Sequence, residues 1–194
     1  MIWKYYRISD LTWSDYLYWF SLMSKEKRQR VNNFRFSDDR KRTVVGEMLA
    51  RQEISDWCSI SPESIRFQIG EFGKPYAVDL PVEFNISHSG DIVVCAIHDK
   101  PIGIDIEKIQ QVSRGIVHSV CNKNEYSYVV GSDEINDTYT PSQLERFFKV
   151  WTYKEAYLKM IGRGIEGLDK VDYTEHRYFY YKSCFTGYCL TIVL

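Results

Sequence analysis

Hydrophobic and polar positions are most sharply ordered between Phe84 and Glu107, FNISHSGDIVVCAIHDKPIGIDIE. The apolar run Val93 to Ile97, bounded by Gly90-Asp91 and His98-Asp99, predicts a buried strand. In IGIDIE a period of two puts Ile104 and Ile106 on one face and Asp105 and Glu107 on the other. Elsewhere the period lengthens. A helix is expected from Ser14 to Phe20, with Trp13, Leu17 and Phe20 on one side. Ser24 should cap KEKRQRVNNF and place Lys27 and Arg30 on a common face. A longer helix follows from about Arg40 to Trp57, with a stripe at Val45, Met48, Leu49 and Gln52 and with Arg42 in its first turn. The second long helix runs from Gln143 to Ile161. Phe147, Trp151, Leu158 and Ile161 form its core face, and Glu155 and Lys159 are one turn apart.

The remaining segments are shorter. Residues 2 to 8 read as an edge strand and Ile65 to Ile69 as another, followed by a turn or loop over Gly70 to Tyr76. Asn122 or Ser119 caps a turn holding Glu125 and Tyr126. Gly131 to Ser142 reads as a loop, Gly162-Arg163-Gly164 as a helix stop, and Gly187 as a hairpin turn between strands around Phe179 to Tyr181 and Leu190 to Leu194. This order suggests an α+β fold of two similar lobes, residues 1–101 and 102–194, meeting near Pro101. The halves show no clear sequence repeat.

Composition narrows the class of function. At 194 residues the chain can bury a sizeable core, and 44% hydrophobic with 26% charged residues is ordinary for a soluble domain. A net charge of -1 argues against a general nucleic-acid binder. The basic residues are uneven, however. From Lys25 to Arg51 there are nine Lys or Arg against four Asp or Glu, a local excess suited to a small polyanion or an acidic partner. The five cysteines include no CxxC pair, which fits reduced thiols in a cytoplasmic setting. No apolar run approaches membrane-spanning length, and MIWKYYRI lacks a signal-peptide core.

Asp105 and Glu107 pointing the same way repel unless a cation sits between them. A hard cation such as Mg2+, with a phosphate-bearing substrate, explains the pair economically. A polar sheet face turned to water is the competing explanation. Ser87-His88-Ser89 reads as a polar turn leaving a strand. It lacks the nucleophile elbow that a serine-hydrolase reading needs.

GKP at 73–75, FNISHS at 84–89, PIGIDIE at 101–107 and WTYKEAYLKMIGRGI at 151–165 together resemble the 4'-phosphopantetheinyl transferases, specifically the larger, monomeric, surfactin-synthetase-activating kind. The resemblance implies two α+β lobes related by pseudo-twofold symmetry, with coenzyme A held in the cleft and Mg2+ on Asp105, Glu107 and Glu155. It implies coenzyme A contacts from Lys27, Arg30, Arg42, Lys74, Ser87, His88, Ser89, Lys154 and Lys159. Arg30 stands where some members have Lys, which keeps the charge and changes the geometry. Lys154 also falls near the apolar face, where its side chain could simply snorkel past the core. Glu125 resembles an acidic position near the metal. Glu155, directly or through metal-bound water, is implied as the base that takes a serine proton, and Lys159 as an aid to the leaving group. The implied partner is an apo acyl, peptidyl or aryl carrier protein, with no nucleic acid or membrane and with a monomeric, cytoplasmic enzyme. The alternatives are another Mg2+-dependent enzyme acting on a phosphorylated nucleotide, such as a phosphohydrolase, and an inactive homologue that binds nucleotide or carrier protein. The chain is short for the larger kind, mainly around residues 108–142 and at the tail.

Overall fold

The computed structural model describes residues 1–131, 138–163, 165–175, 179–183 and 185–194, without the side chains of residues 165 and 166. Parts of the expected 131–142 loop, Gly164 of the helix stop and Cys184 thus lie outside the described residues. The fold is α+β, in two compact units, Met1–Lys100 and Pro101–Leu194, of similar build.

The N-terminal unit holds a three-stranded antiparallel sheet ordered β1 (Ile2–Arg7), β5 (Ile92–His98), β4 (Glu83–Ser89). The apolar run of β5 is central, pairing with β1 on one side and β4 on the other, so every residue from Ile92 to Ile97 is fully buried. Cys95 sits there as a small hydrophobe. A hairpin of β2 (Phe67–Ile69) and β3 (Pro75–Ala77) stands apart from this sheet.

Three helices complete the unit: α1 (Trp13–Leu22), α2 (Lys25–Asn32) and α3 (Ser37–Cys58). Ser24 caps α2 by accepting from the Lys27 N–H, as its position predicts. Two expectations change. Helix α3 starts at Ser37, with Asp38 and Asp39 inside its first turn where the helix dipole favours acids, so Arg42 lies in the second turn. Its buried stripe takes in Val44, Val45, Met48, Leu49 and Ile54, while Gln52 is exposed. In α1 it is Trp19 that reaches the core. Trp13 and Leu17 are exposed, Trp13 stacking on Tyr16 and Tyr16 on Phe20.

The C-terminal unit repeats the plan with β6 (Gly103–Lys108), β8 (Tyr188–Val193) and β7 (Phe179–Tyr181), ordered β6-β8-β7 and antiparallel. Its long helix is α6 (Pro141–Met160), capped by a reciprocal pair of hydrogen bonds between Thr140 and Gln143. Two short helices precede it, α4 (Arg114–Val120) and α5 (Lys123–Val130). Asn122 caps α5 in the same reciprocal way with Glu125. Phe147 and Leu158 of α6 are buried as expected, but Trp151 is only partly buried and Ile161, just past the helix, is exposed. Among the described residues no helix is long and apolar enough to cross a membrane.

Candidate active site

Strand β6 and helix α6 build the acidic part of the site. Gly103, Asp105 and Glu107 share one face of β6 by the two-residue period, and that face is covered by α6. At Gly103 the helix comes so close that an added Cβ would lie 1.8 Å from the Ala156 carbonyl oxygen and 2.7 Å from the Met160 nitrogen. Thr191, the cross-strand neighbour of Asp105, exchanges a 2.8 Å hydrogen bond with Thr152 of α6. The carboxylates are therefore not a sheet face turned to water. Asp105 is buried, and Lys159 of α6 pairs with it at 2.6 Å.

Glu155 stands one turn before Lys159. Its carboxyl is pushed above the ordinary range, first by burial and then by the charge of Asp105, while Lys159 pulls it back. A bound Mg2+ would act in the opposite direction, favouring the charged carboxylate. Two coupled carboxylates with a third on the same strand face are hard oxygen donors, the kind Mg2+ prefers. The residues fit the ion in donor type. Among the described residues, however, no three His, Cys, Asp or Glu side chains stand close enough to hold a metal as placed.

Lys154 and Glu125 are placed differently. Both are fully buried and pair with each other at 2.7 Å. The Lys154 ammonium also donates to the Val120 carbonyl at 2.7 Å and the Leu168 carbonyl at 3.1 Å. Glu125 accepts from the backbone of Asn122 and of Tyr173, each at 2.8 Å. This lysine does not snorkel; it ends inside the core.

The basic residues of the N-terminal unit fall into separate places. Lys27 and Arg30 line a cavity of about 610 Å³ together with Leu22, Ile65, Phe67 and Pro75. Lys27 pairs with buried Glu47, which also holds Arg51 at 2.7 Å. Arg51 in turn donates to the carbonyls of Leu22, Pro62 and Ile65 and lies over the Phe67 ring. Lys27 and Arg51 thus share one carboxylate, an acid of the same basic stretch that the local excess already counts. Arg42 instead donates to the Gly90 carbonyl at 2.8 Å and pairs with Asp39 at 2.6 Å.

Ser87, His88 and Ser89 are the last residues of β4, not a turn beyond it. Strand parity puts His88 with Phe84 and Ile86, and Ser87 with Ser89 on the opposite face. His88 is exposed and Ser87 buried. Lys74 closes the β2–β3 hairpin and pairs with Glu83 at 3.2 Å.

Gly103 and Glu47 are the positions that sequence reasoning passed over. A lone glycine in a run of isoleucines signals close backbone approach, and that sign was present. Glu47 carried no sign, because its partners come from 20 residues upstream and one helical turn downstream.

Comparison with known proteins bears on both units. A family model described as the N-terminal part of 4'-phosphopantetheinyl transferase matches residues 11–100, and one for the 4'-phosphopantetheinyl transferase superfamily matches residues 101–182. The chain is 39% identical over 146 residues to the 4'-phosphopantetheinyl transferase Sfp of Bacillus subtilis (strain 168), covering 75% of this chain and 62% of that protein. It is 39% identical over 145 residues to gsp of Aneurinibacillus migulanus, covering 75% of this chain and 58% of that one. To HetI of Nostoc sp. it is 30% identical over 156 residues, or 77% and 64%. The chain therefore spans less than two thirds of the length of these relatives. With both units matched in order, and with the paired carboxylates of β6 set under the Lys-Glu helix α6, the chain belongs to the 4'-phosphopantetheinyl transferase superfamily.

Proposed function

We propose that this chain transfers the 4'-phosphopantetheine group of coenzyme A to a serine hydroxyl of an apo acyl, peptidyl or aryl carrier protein. The observation that carries the reading is the Asp105–Lys159 pair with Glu155 one helical turn away, in a chain matched along both units by this superfamily. In the reaction the serine oxygen bonds to the β-phosphorus of coenzyme A. The bond from that phosphorus to the bridging oxygen breaks, and adenosine 3',5'-bisphosphate leaves with the electron pair. Glu155, one turn from Lys159 on the same helix, takes the serine proton. Lys159 supplies positive charge to the leaving phosphate. Asp105, Glu107 and Glu155 would hold Mg2+, which when bound neutralises pyrophosphate charge. Lys27, Arg30, Arg42, Lys74 and His88 serve the phosphates of coenzyme A, and Ser87 and Ser89 add side-chain or backbone contacts. Lys154, with its donors engaged in the core, is not carried forward as a ligand contact.

Intact-mass measurement of a panel of apo-carriers incubated with the protein, coenzyme A and Mg2+ tests this. A carrier should gain the phosphopantetheine mass as adenosine 3',5'-bisphosphate is released. Cleaved nucleotide with unchanged carriers would make the protein a hydrolase. Bound coenzyme A with no product from any carrier would make it a binding protein.

A further inference from the structure

We infer that the buried Lys154–Glu125 pair is a positioning device that sets the roll of α6, and with it the direction in which Glu155 and Lys159 face. Its catalytic consequence rests on the transfer reading above; its structural consequence rests on geometry alone.

An ammonium has three donors, and those of Lys154 meet three acceptors that belong to different parts of the unit. These are the Glu125 carboxylate in α5, the Val120 carbonyl at the end of α4 and the Leu168 carbonyl in the 3-10 turn after α6. Glu125 extends the grip, since its two oxygens also accept from the backbone at Asn122 and Tyr173. Four segments of chain are thereby fixed to one side chain of α6.

That side chain lies on the flank of α6 away from the sheet. Thr152 meets Thr191 of β8, and Lys154 is two residues on, about 200° round the helix. Ala156 and Lys159 return to the sheet side, where they meet Gly103 and Asp105. The glycine contact sets how near the helix lies, and the Thr152–Thr191 hydrogen bond pins its sheet side at one point, leaving the opposite flank to fix the roll. The three directed hydrogen bonds of Lys154 fix that flank. A role for Lys154 as a phosphate contact would require opening this buried pair and leaving Glu125 charged in the core, which is strongly disfavoured.

The test is the charge-balanced double variant K154M/E125Q in the full chain, because replacing both partners avoids a lone buried charge. Three quantities are measured. The first is the coupling between Asp105 and Lys159, from urea unfolding of a D105N/K159M double-mutant cycle in each background; it needs no activity. The others are the coenzyme A dissociation constant and the single-turnover transfer rate. The expected result is coupling present in the parent background and lost in the variant, affinity changed less than twofold, and a chemical rate at least tenfold lower. Unchanged coupling and rate would overturn the proposal by making the pair an ordinary part of the core. A tenfold loss of affinity with the rate kept at saturation would overturn it in favour of a ligand contact. Should the parent chain transfer to no carrier, the function reading fails, and the coupling measurement alone still decides the positioning role. If the double variant does not fold, K154R, which keeps the charge and changes the donor geometry, is measured in the same way. A partial loss of coupling is then expected, and none would overturn the proposal.

Discussion

Gly103 shows how much a single side-chain atom decides in this protein. The obstacle to a Cβ there is backbone, the Ala156 carbonyl and the Met160 nitrogen, so no rotamer change relieves it. Gly103→Ala should cost stability at the upper end of the ~1–3 kcal/mol typical of overpacking. It should also weaken the Asp105–Lys159 pair by lifting α6 from β6. Urea unfolding checks the first effect, and a cost under about 0.5 kcal/mol would show that the helix adjusts freely, as at ordinary sites. One turn of helix away, Glu155→Gln keeps the size of the side chain and removes both its charge and its capacity to accept a proton. Single-turnover transfer with saturating coenzyme A and titrated Mg2+ should fall by roughly 10²-fold or more. Wild-type rates across that titration would remove Glu155 from the mechanism.

One carboxylate, Glu63, joins two elements of the N-terminal unit. Tyr18 of α1 and Ser61 both donate to Glu63 in the 3-10 turn Pro62–Ser64. The Ser61 hydroxyl first, and the Tyr18 hydroxyl next, hold the Glu63 carboxyl down to about 2 from an ordinary 4.5. A folded-state value below the unfolded one means that the contribution is complete above the unfolded value. It fades as pH falls from about 4.5 towards about 2. Tyr18→Phe removes one donor, so the Glu63 titration should move up, and the acid loss, still beginning at about 4.5, should be smaller and complete at a higher pH. A carbon-13 carboxyl titration reads this directly; an unmoved Glu63 would mean that Ser61 and the local backbone suffice.

For the whole molecule, a net charge of -1 gives little general attraction to a polyanion, so under the proposed function affinity for coenzyme A must come from local groups. Lys27 and Arg30 share a cavity wall, with Glu47 holding Lys27 in place. If they serve the 3'-phosphate, the parent chain should bind coenzyme A more tightly than dephospho-coenzyme A. K27M/R30Q should narrow that gap mainly by weakening coenzyme A. Calorimetry on the four combinations checks it, and an unchanged ratio would assign the discrimination to Arg42, Lys74 or His88.

The local pattern of the chain determined its elements: the buried strand β5, the alternation that pairs Asp105 with Glu107, the Ser24 cap and the turn between Glu155 and Lys159. These depend on neighbours within about one helical turn or two strand residues, which a sequence displays directly. The spaced motifs added the superfamily, and both halves are matched by its models. Only the tertiary structure decided which surfaces are covered. It put α6 over the carboxylate face of β6, buried Lys154 against Glu125, divided His88 from Ser87 and Ser89, and paired Lys27 with Glu47 and Arg42 with Asp39. Each of these depends on segments distant in sequence or on where a strand ends. A lysine beside a glutamate looks the same in sequence whether it meets a phosphate or three buried acceptors. Packing alone distinguishes the two.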